Sequence, residues 1–272
     1  MIRALWTGAS GMTAQQTSLD NIANNLSNVN TAGFKKQTTE FSTLLYQKLQ
    51  RKVTDNNGDP KPVIGQVGLG VRVSGLSQIF TQGAMLETGR KFDFCIEGEG
   101  FFRVQLPDGT IGYTRNGALQ TSMTAEGVAV CTAEGYSILD DAGQPIIFGP
   151  EYDMAKVNID QWGNFTYPDE ETNVAMNIGV KVSLAQFNNP AGLDKISGSM
   201  FRESENSGAP RLEADDLLLT TSKVHSGYLE GSNVATVDEI VNLIVTQRAY
   251  EMNSKVITAS DEMMQQANNL RS

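Results

Sequence analysis

Leu5, Met12, Leu19 and Leu26 recur every seven residues near the start of the chain, and Ala249, Val256, Met263 and Leu270 repeat that interval near its end. Ile22 and Val29 follow Leu19 and Leu26 by three, and Val245, Met252 and Ala259 supply the complementary positions at the other end. A seven-residue apolar repeat marks a helix that lays one stripe against a partner. Because the stripes sit at opposite ends of the chain, the expectation is two long terminal helices paired as a coiled-coil-like domain. Everything between them must then be an insertion.

The intervening sequence has a different texture. Most of the 26 glycines lie there, and apolar residues alternate in GVRVSGLSQIF and GFFRVQLPDGTIGYTRNG. A period of two punctuated by Pro-Asp-Gly reads as strands joined by tight turns. The expected class is therefore α+β, with residues 1–35 and 232–272 as a discontinuous helical assembly domain. Residues 36–66 are expected as an extended segment and loop linker, including a loop at 54–62, and residues 67–231 as a β-rich outer domain with an acidic turn at 167–173.

Local signals set the helix ends. Gly8 and Gly11 weaken the first turns, and Thr31-Ala32-Gly33 is the expected stop, with Gly33 suited to a left-handed backbone. The second helix is expected from about Val237 to about Leu270. Thr236 and Glu239 read as a capping box, Asp238 and Glu239 suit the positive end of the helix dipole, and Arg271 suits the negative end.

The polar face of the first helix is unusual. Five asparagines fall between Asn21 and Asn30, and Asp20 is the single charged residue from Ala4 to Phe34. Asparagine is a weaker helix former than Glu or Lys, so its repeated use implies a polar face that is covered, where an amide can be satisfied and a charge cannot. The apolar side is expected to meet the C-terminal helix and the amide side to meet other chains.

Composition excludes several classes. With 31 carboxylates against 21 Lys and Arg, the chain lacks the cationic balance of a nucleic-acid binder. No secretory leader and no span long enough for a bilayer is read, so lipid insertion is not expected. Cys95 and Cys131 have no ligand-like spacing and read as buried small side chains. His225 is the only histidine, which leaves a metal site or a histidine-based triad without parts. GQVGLG is followed by strand-like alternation where a dinucleotide loop needs a helix, and the pairs Asp140 with Asp141 and Glu97 with Glu99 read as solvated turn acids. No catalytic residue, cofactor or metal is expected.

SGMTAQQTSLDNIANNLSNVNTAGFKK (10–36) and GYLEGSNVATVDEIVNLIVTQRAYEMNSKVITASDEMMQQANNL (227–270) resemble the terminal signatures of the bacterial flagellar rod and hook axial family. FSTLLYQKL, the run from VGLGVRVSG to TRNGAL, and FNNPAGL resemble its distal-rod members. The resemblance implies a subunit exported through the flagellar type III apparatus without a cleaved signal peptide. It would polymerise helically as a homo-oligomer in the basal-body rod, with the terminal helices as an inner tube and the β domain outside. Implied partners are proximal rod proteins, the hook protein or junction, and the L- and P-ring bushing if the cell is Gram-negative. Alternatives are another rod or hook subunit or, from a different class, a peptidoglycan-binding or muralytic module. The expected assembly interface comprises Leu5, Met12, Leu19, Ile22, Asn24, Asn25, Leu26 and Val29, together with Val245, Arg248, Ala249, Tyr250, Met252, Val256, Met263 and Leu270. Arg248 is expected to bridge subunits through a carboxylate such as Asp20 or Glu251, the alternative being an exposed helix arginine, and Tyr250 to pack between helices.

Overall fold

The computed structural model describes residues 2–48, 65–125, 127–168, 175–216 and 218–270. The loop expected at 54–62, positions 169–173 of the acidic turn, and Arg271 lie outside the described residues. The fold is α+β, and the chain divides into two compact units. One comprises Met1–Ser27, Gln37–Gln78 and Ala235–Ser272, and the other Asn28–Lys36 and Ile79–Val234.

The first unit holds both helices, α1 (Ile2–Ser27) and α2 (Thr236–Asn269). Among the described residues four strands accompany them: β1 (Gln37–Thr43), β2 (Tyr46–Lys48), β3 (Gln66–Gly68) and β4 (Val71–Gln78). β1 and β4 form an antiparallel ribbon of seven paired positions with a bulge between Glu40 and Phe41, and β2 pairs with β3. This grouping differs from the expected boundaries, which ran the linker through 36–66 and opened the β domain at 67. The ribbon groups with the helices because the start of β1 is hydrogen-bonded to α1, as detailed below.

Two helix-end expectations are corrected. α1 stops at Ser27, before Thr31-Ala32-Gly33, because a tight turn takes over in which Thr31 N donates to Asn28 O at 3.1 Å. The Thr31 hydroxyl also donates to Asn28 Oδ1 at 3.2 Å, so Val29 lies beyond the helix. The capping box at the start of α2 does not form. Ala235 is the cap residue and makes no side-chain cap bond, while the Glu239 carboxylate turns inward to an asparagine of α1.

The second unit runs through β5 (Met85–Glu87), β6 (Phe94–Glu97), β7 (Phe101–Gln105), β8 (Ile111–Thr114), β9 (Leu119–Thr124) and β10 (Gly127–Thr132). It continues with β11 (Ile147–Phe148), β12 (Asn158–Ile159), β13 (Asn164–Pro168), β14 (Ala175–Lys181) and β15 (Leu184–Gln186). β16 (Asp194–Ser197), β17 (Met200–Arg202), β18 (Arg211–Leu212), β19 (Lys223–Ser226) and β20 (Tyr228–Glu230) complete it. Its largest sheet has the six-strand order β16-β17-β8-β7-β15-β18. The three-stranded sheets β11-β10-β9 and β12-β13-β14 and the pairs β19-β6 and β20-β5 make up the rest.

Strand alternation explains how one sheet serves two cores. Successive residues of a strand point to opposite faces. Phe102 and Val104 therefore enter a cluster with Phe94, Phe148 and Phe165, whereas Phe101 enters another with Tyr113, Phe187 and Phe201. Edge-to-face ring contacts fill both, including Tyr113 against Phe187 at 4.8 Å and Phe148 against Phe165 at 5.0 Å. The expected Pro-Asp-Gly turn joins β7 to β8, with Gly109 at φ 74° and its N–H on Leu106 O at 2.9 Å. Cys95 in β6 and Cys131 in β10 are buried free thiols, and burial pushes Cys95 up to about 11.

Gly33 is not a helix cap but a point of close approach. It holds φ 69°, and a Cβ there would lie 2.6 Å from Asn116 N. Gly33→Ala should thus cost the β-rich unit about 1–3 kcal/mol, whereas Gly75→Ala, which meets nothing within 4 Å, should change stability by less than about 0.5 kcal/mol. Denaturant unfolding followed by tryptophan and far-ultraviolet signals checks the contrast.

Candidate assembly interface

The charge-poor helix α1 satisfies much of its polarity locally. Thr13 donates to Ala9 O at 3.1 Å, Thr17 to Thr13 O at 3.1 Å and Ser27 to Ala23 O at 2.8 Å. Such back-bonding lets hydroxyl residues sit on a helix without needing water.

The amides have a more specific task. Asn25 Nδ2 donates to Gln37 O at 2.8 Å while Gln37 N donates to Asn25 Oδ1 at 3.0 Å. The side chain thus pairs with the first residue of β1 as a neighbouring strand would. Asn21, one helical turn earlier, donates to the same Gln37 O at 3.0 Å and lies 3.2 Å from Thr39 Oγ1. Asn25 Nδ2 also reaches Glu239 Oε2 of α2 at 3.2 Å. A carboxylate could not donate to Gln37 O, and an ammonium could not accept from Gln37 N. Asn21 and Asn25 are accordingly buried, while Asn24 is exposed.

This corrects the expected division of faces. The amide side of α1 is answered within the chain, by β1 and by α2. Glycines set the approach of the two helices: a Cβ on Gly8 would sit 2.9 Å from Ile257 Cγ1, and one on Gly11 would sit 2.9 Å from Asn253 Nδ2. Gly8, Gly11 and Ala14 are buried on α1, and Glu239, Thr246 and Ser260 are buried on α2. Glu239, Thr246, Asn253 and Ser260 are themselves spaced by seven, so α2 turns a polar heptad toward α1.

Among the described residues, nothing covers the apolar heptad of α2. Val245 is 62% exposed, Met252 61%, Val256 47%, Met263 50% and Leu270 90%. Val237, Ile240, Val241 and Ile244 extend the exposed apolar surface toward the start of the helix. Ala249 is half-buried, Tyr250 is 38% exposed, and Arg248 pairs at 3.2 Å with Glu251 of its own helix. On α1, Ile22 is buried, and Leu5, Met12, Leu19 and Leu26 are half-buried, as is Val29 in the turn that follows.

The chemistry-bearing residues considered from sequence are taken up by local structure. Asp140 Oδ1 accepts Gln144 N at 2.8 Å, and Asp141 pairs with Lys181 at 3.4 Å. His225 Nε2 lies 2.8 Å from Glu97 Oε2, and this bond holds the Glu97 carboxyl below its usual range. Among the described residues, no group of three or more His, Cys, Asp or Glu side chains is placed to hold a metal ion.

One cluster escaped the sequence reading. Lys35 Nζ lies 2.6 Å from Glu230 Oε1, and Arg115 NH1 lies 3.4 Å from Glu230 Oε2, all three side chains being almost wholly buried. Burial lowers the Lys35 ammonium from its ordinary value, with Glu230 pulling the other way, and burial likewise lowers Arg115. With partners 195 positions apart, no spacing rule could have found it.

Comparison with known proteins adds three family matches. Residues 5–35 match the family described as flagella basal body rod protein, residues 95–167 the flagellar hook protein FlgE/F/G D1 domain, and residues 225–270 the flagellar basal body rod FlgEFG protein C-terminal. The flagellar basal-body rod protein FlgG of Borreliella burgdorferi is 42% identical over 100% of this chain and 99% of its own length. The FlgG protein of Agrobacterium fabrum is 39% identical over 96% of this chain and 97% of its own length. That of Bacillus subtilis is 35% identical over the full length of both.

If Asn25 acts through its paired donor and acceptor, Asn25→Asp should destabilise the helical unit by about 1–3 kcal/mol, because it removes the bonds to Gln37 O and sets a second carboxylate beside Glu239. Gln16→Glu, the same change of amide to acid at an exposed position of α1, should change it by less than about 0.5 kcal/mol. Thermal melting of the helical circular-dichroism signal distinguishes the two.

Proposed function

This chain belongs to the flagellar basal-body rod protein family and is a structural component of the flagellar basal body; from that premise we propose that it builds the distal rod by helical self-association through its α1–α2 unit. The observation that carries this reading is the long apolar face of α2, which no part of the described chain covers. A continuous exposed apolar stripe of this kind marks an interaction surface. Offered to a different patch on the next copy, it makes a heterologous contact that need not close into a ring, and repetition of such a contact gives a helical filament.

In this reading α1 and α2 pair in a coiled-coil-like manner and form an inner tube around the export channel. Val245, Met252, Val256, Met263 and Leu270 meet neighbouring copies, and Leu5, Met12, Leu19, Leu26 and Val29 complete the packing. Arg248, Tyr250 and Asn24 are exposed, and in this reading a neighbouring copy covers them. The shaft transmits torque between motor and hook. Its ends meet proximal rod proteins on one side and the hook or its junction on the other, and an envelope ring bushing surrounds it where an outer membrane exists. Delivery is through the flagellar type III export apparatus without a cleaved leader. The glycine-containing α1 suits that route, since each interior glycine lowers helix stability by about 1 kcal/mol and favours threading as an unfolded chain.

Val256→Asp tests the proposal, because the residue is exposed and distant in character from the polar heptad that faces α1. In a strain lacking its own copy, the variant should be exported and fold as a monomer yet give no swimming halo in soft agar. Wild-type motility would overturn the role of this face.

A further inference from the structure

We infer that Glu230 and Asn233 form a mechanical clamp that fastens together the passages of the chain at the margin of the β-rich unit. The division into units places chain crossings after residues 27, 36, 78 and 234. The crossings after 36, 78 and 234 converge on one hydrogen-bonded knot. Lys36 N donates to Asn233 Oδ1 at 2.7 Å, and Ile79 N donates to Lys36 O at 2.9 Å. Asn233 Nδ2 donates to Ile79 O at 2.7 Å and lies 3.0 Å from Thr81 Oγ1. A single amide thereby holds the backbone at two crossings, on the side of the β-rich unit, while standing next to the third.

Glu230 anchors this knot to the interior. Its Oε1 accepts from Lys35 Nζ at 2.6 Å and from Gly83 N at 2.9 Å, and its backbone carbonyl accepts Gly33 N at 2.8 Å. Lys35 Nζ also donates to Thr81 O at 2.8 Å. On the inner side, Glu230 Oε2 takes Arg115, whose guanidinium donates to Gly98 O at 2.6 Å and stacks 5.1 Å from the Phe101 ring centre. Tension on any of the three passages is therefore delivered through Glu230 to Arg115 and the β7–β8 core. The fit leaves no slack, since a Cβ on Gly83 would lie 2.0 Å from Gly231 O. Buried ion pairs add little net stability over apolar packing, so the use of three charges here is better explained by directional fastening than by stability.

The clamp itself is a property of the single chain. Its use in carrying torque rests on the rod assignment. Hydrogen–deuterium exchange on the unassembled full-length chain tests it through the amides of Gly33, Lys36, Ile79, Gly83 and Gly231, each of which is bonded within the knot. Glu230→Gln keeps the shape but puts an amide group against donors. It should speed exchange in all of these segments together by about tenfold or more while the β7–β8 amides keep their protection. Loosening confined to the segment that contains residue 230, or an equal rise across the whole unit, would overturn the clamp. If Glu230→Gln fails to fold, Asn233→Ala decides, because that side chain lies at the surface and leaves the ion cluster intact. It must loosen Lys36 and Ile79 in concert, and loosening of one without the other refutes the proposal. Since no assembly is involved, that refutation would leave the rod assignment standing, just as wild-type motility of the α2 variant would leave the clamp standing.

Discussion

A neutral amide can donate and accept at the same time, and the helical unit is organised around that property of Asn25. Its two polar atoms pair with both backbone groups of Gln37, and the same NH2 reaches Glu239, so one side chain ties α1, β1 and α2 together. Once this contact is made, the surface that α1 offers to α2 consists of amides and very small residues. The helices come close enough that a methyl at Gly8 or Gly11 would collide with Ile257 or Asn253. The polar heptad of α2 is consumed inside the chain, and its apolar heptad is left outside.

This arrangement reverses the usual economy of a two-helix pair, in which apolar side chains meet inside and polar ones face water. The reversal makes sense for an assembly subunit. A pair held by directional hydrogen bonds keeps its register without using up its apolar area, which stays available for other copies. The β-rich unit shows the same separation of tasks. Its stability comes from aromatic cores on both faces of the β7–β8 sheet, and three of its buried charges, Lys35, Arg115 and Glu230, are gathered where the chain passes in and out.

Much of this plan was legible in the sequence, for identifiable reasons. Seven-residue periodicity at the termini reported both helices, because residues seven apart fall on one face of a helix, whether that face is buried, as at Ile22, or exposed, as at Val245 and Val256. Alternation through Phe101–Gln105 and the Pro107-Asp108-Gly109 turn reported the β7–β8 hairpin for the same kind of reason. Which face meets which partner was not legible. An apolar count finds Val245, Val256 and Met263 and passes over Glu239, Thr246, Asn253 and Ser260, although the latter share the same spacing. The capping box at Thr236 misled because the Glu239 carboxylate is bonded to Asn25 of α1 and the helix starts from Ala235. Domain boundaries shifted because β1 is recruited by α1 through side chains, and strand patterning carries no record of that. The Lys35, Arg115 and Glu230 cluster depends wholly on tertiary approach.

The most direct measurement is a helical reconstruction, at side-chain resolution, of the filament that this chain forms. The account predicts that Val245, Val256 and Met263 are enclosed by a neighbouring copy while the bonds of Asn25 to Gln37 and Glu239 persist unchanged within each subunit. A filament in which the α2 stripe still faces solvent, or in which Asn25 has exchanged Gln37 for a residue of another copy, would contradict it.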